Sequence, residues 1–307
     1  QSVRILAPSP SKTSYPEQMK FIVSELKSFL ADHRVKVAPD GTFAVKFVKG
    51  DVKTGTENSK LKEEAYSLRV TSGGALITAM DTRGFYYGMK TLEQLLLRRG
   101  GTTTIAACDI VDWPDFEIRG FMNDVGRNYM PLPLIARELD SMAQLKLNVY
   151  HFHFTENPGW RLESKIYPEL NDSRNYTRMP GKFYTQKEFK QLVEYCRLRN
   201  ILLIPEMDMP GHSQMFRKAL NVKMSDEKAT KALVALIKEL CSLVPKEKMP
   251  IIHIGTDEVR GRDEQVNNEI LKEYINAVES CGRIPMRWQP GLTPKGYNGS
   301  IQQLWSG

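Results

Sequence analysis

Two adjacent carboxylates stand in His253-Ile254-Gly255-Thr256-Asp257-Glu258, directly after the apolar Pro250-Ile251-Ile252. An apolar run that stops at polar residues reads as a buried strand opening into a cleft. Acids crowded there part in proton affinity, so that one serves as a proton donor while the other stays an anion. The plain alternative is a helix start, where acidic residues favour the dipole. Comparable groups end other apolar runs. Asp124 closes the run from Arg119. His151 and His153, two apart, share one face of a strand that leads to Thr155-Glu156-Asn157. Glu206, Asp208 and His212 follow a third run, and Trp288 and Trp305 end two more. Trp160 follows Gly159 in a loop, as a lid or as packing. Singly, each has a structural reading: Asp124 and Asp208 as turn caps, the histidines as hydrogen-bonded core, the tryptophans as ordinary core. Arg119 alone pairs with any carboxylate. Recurrence at six run ends is hard to assign to packing.

Two chemistries suit such a set. His151, His153 and His212 with an Asp have the ligand types of a catalytic metal site. Carboxylates walled by aromatic rings suit glycoside hydrolysis, because a sugar offers apolar ring faces and hydroxyls together. The tryptophans favour the sugar.

Positioning these groups at run ends requires a parallel sheet, whose sites lie at the carboxyl ends of the strands. From Arg119 onward strand and helix patterns alternate. Strands are predicted over residues 119–124, 148–155, 201–207, 250–255, 286–289 and 301–305. Helices are predicted over 133–146, 186–199, 226–243 and 264–281. Repeated strand–helix units make an α/β sheet, either doubly wound or a barrel stopping after about six strands. Residues 1–115 read differently, as a small α+β domain. Its predicted helices cover 16–30 and 83–99, the second ended by Gly100-Gly101, and its strands cover 43–48, 66–70 and 76–80, with a hairpin at Gly73-Gly74. The domains are therefore expected at 1–115 and 116–307.

Length and composition agree. A chain of 307 residues accommodates two domains. The formal charge of +7 is scattered, with no basic run longer than Arg98-Arg99, which argues against a nucleic-acid groove. No stretch of eighteen apolar residues is present to span a membrane. The four cysteines lack CxxC spacing and do not make a disulfide framework; Cys196 and Cys241 fall in amphipathic helical patterns as small apolar groups. The chain opens on Gln1 rather than Met, as a processed or trimmed product does.

Four segments carry a family resemblance. Arg119-Gly120-Phe121-Met122-Asn123-Asp124 resembles the opening strand of the family 20 glycoside hydrolases, the β-N-acetylhexosaminidases. His151-Phe152-His153-Phe154-Thr155-Glu156-Asn157-Pro158-Gly159-Trp160-Arg161 resembles their H-x-H-L-T-D-D-x-G-W-R. Pro205-Glu206-Met207-Asp208-Met209-Pro210-Gly211-His212-Ser213 is similar to P-E-I-D-M-P-G-H-S, and the segment from His253 to H-I-G-G-D-E. They stand in the family's order across residues 119–305.

The resemblance implies a (β/α)8 TIM-type barrel behind an accessory α+β domain. It implies removal of terminal β-linked N-acetylhexosamine by a retaining mechanism in which the sugar's own 2-acetamido oxygen attacks and forms an oxazoline. Glu258 is then the acid and base, and Asp257 orients the acetamide. Arg119 bonds the ring hydroxyls, His212 and Glu156 support the acid, Asp208 steadies that neighbourhood, and Trp288 and Trp305 wall the pocket. No cofactor or metal is implied. The partner is an N-acetylhexosamine-bearing glycan, the place of action secreted or periplasmic, and the oligomeric state unreadable. Thr256 stands where the pattern has Gly, and Glu156-Asn157 where it has two Asp. With the chain stopping at Gly307, the barrel is expected to be incomplete and this stretch weakly active or inactive. The remaining readings are a carbohydrate-binding relative without turnover, and a metal-dependent hydrolase built on His151, His153 and His212.

Overall fold

The computed structural model describes residues 2–9, 14–259, 268–292, 297 and 299–305. The chain divides into two units. The first takes in residues 1–119, with 140–148 and 198–200; the second holds the rest.

In the first unit β1 (Val3–Leu6), β2 (Phe43–Lys49), β3 (Tyr66–Thr71), β4 (Gly74–Ala79) and β7 (Cys108–Asp112) form one mixed sheet in the order β1-β2-β4-β3-β7. Helix α1 (Pro16–Asp32) buries Met19, Ile22, Leu26 and Leu30, an i, i+3, i+7, i+11 stripe. α2 (Ser59–Glu64) is a short turn of helix, and α3 (Thr82–Leu95) is started by Asp81, whose carboxylate accepts from Thr82 N at 2.7 Å. The β3–β4 hairpin turns at the predicted glycines, with Thr71 opposite Gly74. The predicted helix over 83–99 is corrected. It stops at Leu95, and β5 (Leu96–Arg99) pairs antiparallel with β6 (Thr102–Ile105). Gly100 and Gly101, at φ +56° and +84°, make the two-residue turn rather than a helix cap. The β-branched Thr102, Thr103 and Thr104 opposite decide for strand what Leu and Arg alone left to helix.

The second unit is a six-stranded parallel sheet: β8 (Gly120–Asp124), β9 (Val149–His153), β12 (Leu202–Glu206), β13 (Ile251–His253), β14 (Ile284–Gln289) and β15 (Ile301–Leu304). Spatial order follows chain order. A doubly wound sheet reverses direction at a switch point; this one never does, so it is part of a (β/α) barrel. Helices α4 (Leu132–Gln144), α5 (Gln186–Leu198), α7 (Glu227–Ser242) and α8 (Asn268–Ser280) alternate with the strands, and α6 (Gln214–Leu220) is a short extra helix after β12. α7 buries Leu233, Leu236, Ile237, Leu240 and Cys241, a helical stripe. Residues 264–267 of the last predicted helix lie outside the described residues. β9 and β12 are buried on both faces, as strands under helices must be. No helix among the described residues is long and apolar enough to cross a membrane.

Candidate active site

Strand register creates the site. Asp124 pairs with His153, His153 with Glu206, Glu206 with His253 and His253 with Met286, one row across five strands at their carboxyl ends. Glu206 is fully buried at the centre of that row. Its Oε2 accepts from His153 Nδ1 at 2.6 Å and lies 2.7 Å from His151 Nε2, and its Oε1 accepts from Trp288 Nε1 at 2.7 Å. Trp288 and His253 pack ring against ring at 4.8 Å. Burial, the largest influence on Glu206, raises its proton affinity, yet the surrounding imidazoles of His153, His253 and His151 hold it well below the usual carboxylate range. Burial also opposes charge on His153, but Glu206 lifts it to about 9. His253 stays neutral. Burial pulls it to about 3, and its Nδ1 accepts from Gly255 N at 3.0 Å. Glu206 therefore favours the charged form of His153.

Above this buried layer the loops bring five more groups together. After β9, the two-stranded ribbon β10 (Thr155–Glu156) and β11 (Gly159–Trp160) fixes Glu156, which is 1% exposed. Its Oε1 lies 2.5 Å from His212 Nδ1 and also meets the Arg127 guanidinium. Arg127 in turn bonds Asp124 Oδ2 at 2.5 Å through Nη1 and Asp124 Oδ1 at 2.8 Å through its backbone N–H. The far nitrogen of His212, Nε2, lies 3.2 Å from Glu258 Oε2 and 3.6 Å from Asp257 Oδ2. The carboxylates of Asp257 and Glu156 push His212 up to about 11. Asp208, buried beneath, is held well above the usual carboxylate range by burial, with Glu206 and Asp257 adding repulsion.

The backbone is bent to achieve this. His212, Thr256 and Glu258 all have positive φ, at +50°, +89° and +45°. Non-glycine residues held in that region mark a site whose surroundings enforce it. Two glycines permit the close approach: a Cβ on Gly255, itself at φ +70°, would fall 1.8 Å from Asp208 Oδ1, and one on Gly211 would fall 2.5 Å from the Asp257 carbonyl. Thr256 N donates to Asp208 Oδ1 at 3.3 Å, and Asp208 N to Thr155 Oγ1 at 2.8 Å. Asn157 supports the start of α6, its Oδ1 accepting at 3.0 Å from the backbone N–H of Gln214, the first residue of that helix. Arg161, fully buried, donates to the carbonyls of Gly126, Arg178, Met179 and Lys182, which staples the loop beside Arg127.

The predicted residues thus separate. Glu258, Asp257, His212, Glu156, Asp208 and Asp124 converge. Arg119 does not. It precedes the first residue of β8, at the amino end of the strand, and its guanidinium binds Glu64 Oε2 at 2.5 Å, the Phe116 carbonyl at 2.7 Å and the Lys146 carbonyl at 2.8 Å. Sequence reasoning chose the arginine on the wrong side of the strand. Arg127, three residues beyond Asp124, is the one at the carboxyl end, and that spacing was the available signal. Trp288 is 7% exposed and supports Glu206, so it reaches the cluster through that bond. Trp305, 45% exposed, donates to the Pro290 carbonyl at 2.8 Å. Trp160 is core rather than lid, edge-on to Phe154 at 5.9 Å. His151 and His153 both turn to Glu206 while His212 turns to Glu156 and Glu258, so these three imidazoles do not converge on one metal position. Nearby sets of ligand type exist among the described residues, such as Asp208, His212 and Asp257.

The sequence model described as glycosyl hydrolase family 20, catalytic domain, matches residues 116–228, and that described as glycosyl hydrolase family 20, domain 2, matches residues 3–113. The chain belongs to glycosyl hydrolase family 20. Similar family members include a beta-hexosaminidase of Porphyromonas gingivalis, 39% identical over 166 residues that make up 50% of this chain and 21% of that one. A beta-hexosaminidase of Vibrio furnissii is 32% identical over 238 residues, 66% of this chain and 38% of that protein. The chain thus spans well under half the length of these curated relatives. Among solved family 20 structures, the exo beta-N-acetylglucosaminidase of Vibrio harveyi in complex with N-acetylglucosamine superposes with a TM-score of 0.81. The match covers 100% of this chain and 54% of that one at 23% identity, which speaks for the shared fold.

Proposed function

We propose that this family 20 chain carries the acid–base half of a β-N-acetylhexosaminidase site that removes terminal β-linked N-acetylhexosamine with retention. Glu258 is the proton donor: its side chain is 40% exposed at the mouth of the cluster, within reach of a leaving oxygen. The observation that carries the reading is His212 bridging Glu156 and Glu258. When Glu258 gives its proton to the leaving group it becomes an anion 3.2 Å from an imidazole that its other neighbours keep charged. That attraction exists only once the proton has moved, so it favours the transition state over the bound substrate. The same carboxylate then takes a proton from the incoming water.

Asp257 is Glu258's own neighbour, and of the other carboxylates in the described cluster Glu156 and Asp208 are buried and Asp124 is paired with Arg127, so none of them is assigned as a nucleophile. The sugar's 2-acetamido oxygen fills that role. Asp257 holds the amide N–H and faces the charge that grows on the acetamide as the oxazoline closes. An intramolecular nucleophile held near its target carries a large effective molarity. Arg127, exposed on one side and paired with Asp124 and Glu156 on the other, is placed to bond sugar hydroxyls. We place the chain's work outside the cell or in the periplasm, where glycans of this class are met.

Hydrolysis of a nitrophenyl N-acetyl-β-glucosaminide is the assay, with binding of N-acetylglucosamine measured beside it. Glu258→Gln should lower kcat by about 10²–10⁴-fold with sugar binding retained. Replacing the substrate's acetyl by trifluoroacetyl weakens the amide oxygen and should slow turnover further. Equal rates for the two amides would remove the sugar-borne nucleophile; an unchanged rate in Glu258→Gln would remove the acid.

A further inference from the structure

The first unit holds a cavity of about 210 Å³ that shares no residue with the acidic cluster. Strand and helix ends build its wall. Tyr66, at the start of β3, pairs in register with Asp112, the last residue of β7, and Lys146 comes two residues after α4. The Tyr66 hydroxyl donates to Asp112 Oδ2 at 2.7 Å and accepts from Lys146 Nζ at 2.8 Å. Lys146 also donates to Asp112 Oδ2 at 2.8 Å, which uses two of its three N–H groups. The Trp113 indole is half-buried in the same wall. Gly55 lets the backbone lie against that ring, since a Cβ there would fall 3.0 Å from Trp113 Cζ2. Arg119 lines the cavity as well, but its guanidinium is spent on Glu64 and on the carbonyls of Phe116 and Lys146.

The charges of this wall select against a charged ligand. Each cation already has its acid, Lys146 with Asp112 and Arg119 with Glu64. An anion would have to displace one of those partners, and the exposed Asp115 in the same lining repels it further. A hydroxyl donates and accepts at once, so it can bond Asp112 and Lys146 without separating them. Asp112 is 42% exposed and within reach of such a group. An aromatic ring beside polar groups suits a sugar, which is apolar on its ring faces and polar at its edge. The volume lies below the about 300–1,000 Å³ of drug-sized pockets, which leaves room for one ring.

We infer that this cavity is a second sugar site, taking a neutral hexopyranose that carries no N-acetyl arm. Asp112 and Lys146 bond its hydroxyls, and Trp113 packs on its apolar face. The site does not rest on the acid–base reading of Glu258, and either can fail alone.

The four tryptophans of a ¹⁵N-labelled chain supply indole N–H signals, and that of Trp113 is the one lost in Trp113→Phe. Glucose or galactose should move the Trp113 signal saturably, with a dissociation constant of about 1–10 mM for so small a neutral ligand. N-acetylglucosamine and the open-chain polyol mannitol should leave it in place at the same concentrations. Asp112→Asn should weaken hexose binding about tenfold, as loss of a hydrogen bond to a charged group does, and Arg127→Ala should leave the Trp113 titration unchanged. The wild-type titration decides without the variants should one of them fail to fold. A Trp113 signal that neither hexose moves, that N-acetylglucosamine or mannitol moves equally, or that stops responding in Arg127→Ala would overturn the inference, as would undiminished hexose binding in Asp112→Asn.

Discussion

Thr256→Gly should make this protein more stable. Thr256 is fully buried at φ +89°, a region that suits glycine and penalises a β-branched residue. Holding a non-glycine residue there costs about 1–3 kcal/mol. Its hydroxyl is buried without a protein partner, and leaving one so costs about 1 kcal/mol or more. Against that, truncation gives up a buried methyl, about 0.8 kcal/mol, and frees the unfolded chain by about 0.4–1 kcal/mol. The balance favours Gly by about 1 kcal/mol, or about 2–4 °C in Tm for a chain of this order. Thr256→Ala separates the contributions. It removes methyl and hydroxyl but keeps a Cβ at positive φ, so Gly should exceed Ala by about 0.5–1 kcal/mol. Urea unfolding followed by tryptophan fluorescence, with equal m-values required, measures both differences. The reasoning fails if Ala matches Gly, or if Gly lies below the wild type. Thr256 also anchors a neighbouring loop, since Leu292 N donates to its carbonyl at 2.9 Å and Gly291 packs on its side chain. A stabilised Gly variant that loses turnover would mean that the strain serves to present Glu258.

Other outcomes follow from the buried charges. Glu206→Gln removes the anion that lifts His153, so the buried imidazole should lose its proton and its charge-assisted bond, destabilising by about 1–3 kcal/mol in denaturant unfolding. The pair also sets a pH window. His153 is raised in the folded state to about 9 from an ordinary value near 6.5, so its contribution is complete below about 6.5 and lost as pH rises through 9. Glu206 is depressed, so its contribution is lost as pH falls below the ordinary carboxylate range. Denaturation midpoints from about pH 2 to pH 10 should show both losses in the wild type, and the alkaline loss should flatten in His153→Gln. Arg127→Ala removes a guanidinium whose side chain is 45% exposed from a Glu156 that keeps His212, so it should cost only about 1–2 kcal/mol of stability. It should weaken N-acetylglucosamine binding more, whereas Arg119→Ala should leave sugar binding untouched; titration of both variants with the sugar decides.

What the sequence revealed depended on whether local pattern or three-dimensional direction mattered. The alternation from Arg119 onward gave six strands in order because buried parallel strands are written as apolar runs. The carboxyl-end rule then collected Asp124, Glu156, Asp208, His212, Asp257 and Glu258 correctly into one place. It failed for Arg119, which begins its run instead of ending it, and so passed over Arg127. It was silent on Glu206 as the hub, because a lone Glu in a strand carries no mark of the three imidazoles that registration will bring beside it. Leu96–Arg99 misled for a different reason: good helix formers continued a real helix, and only pairing with a threonine-rich partner across Gly100-Gly101 made them strand.

The row from Asp124 to Met286 also guards the fold against error. Successive strand residues face opposite ways, so sliding β12 by one position past β9 would turn Glu206 out toward the helices and strand His151 and His153 without an acceptor. A misaligned sheet would keep its apolar runs almost intact and still lose its buried polar centre. The same few side chains that ready the protein for chemistry thus penalise near-miss topologies during assembly.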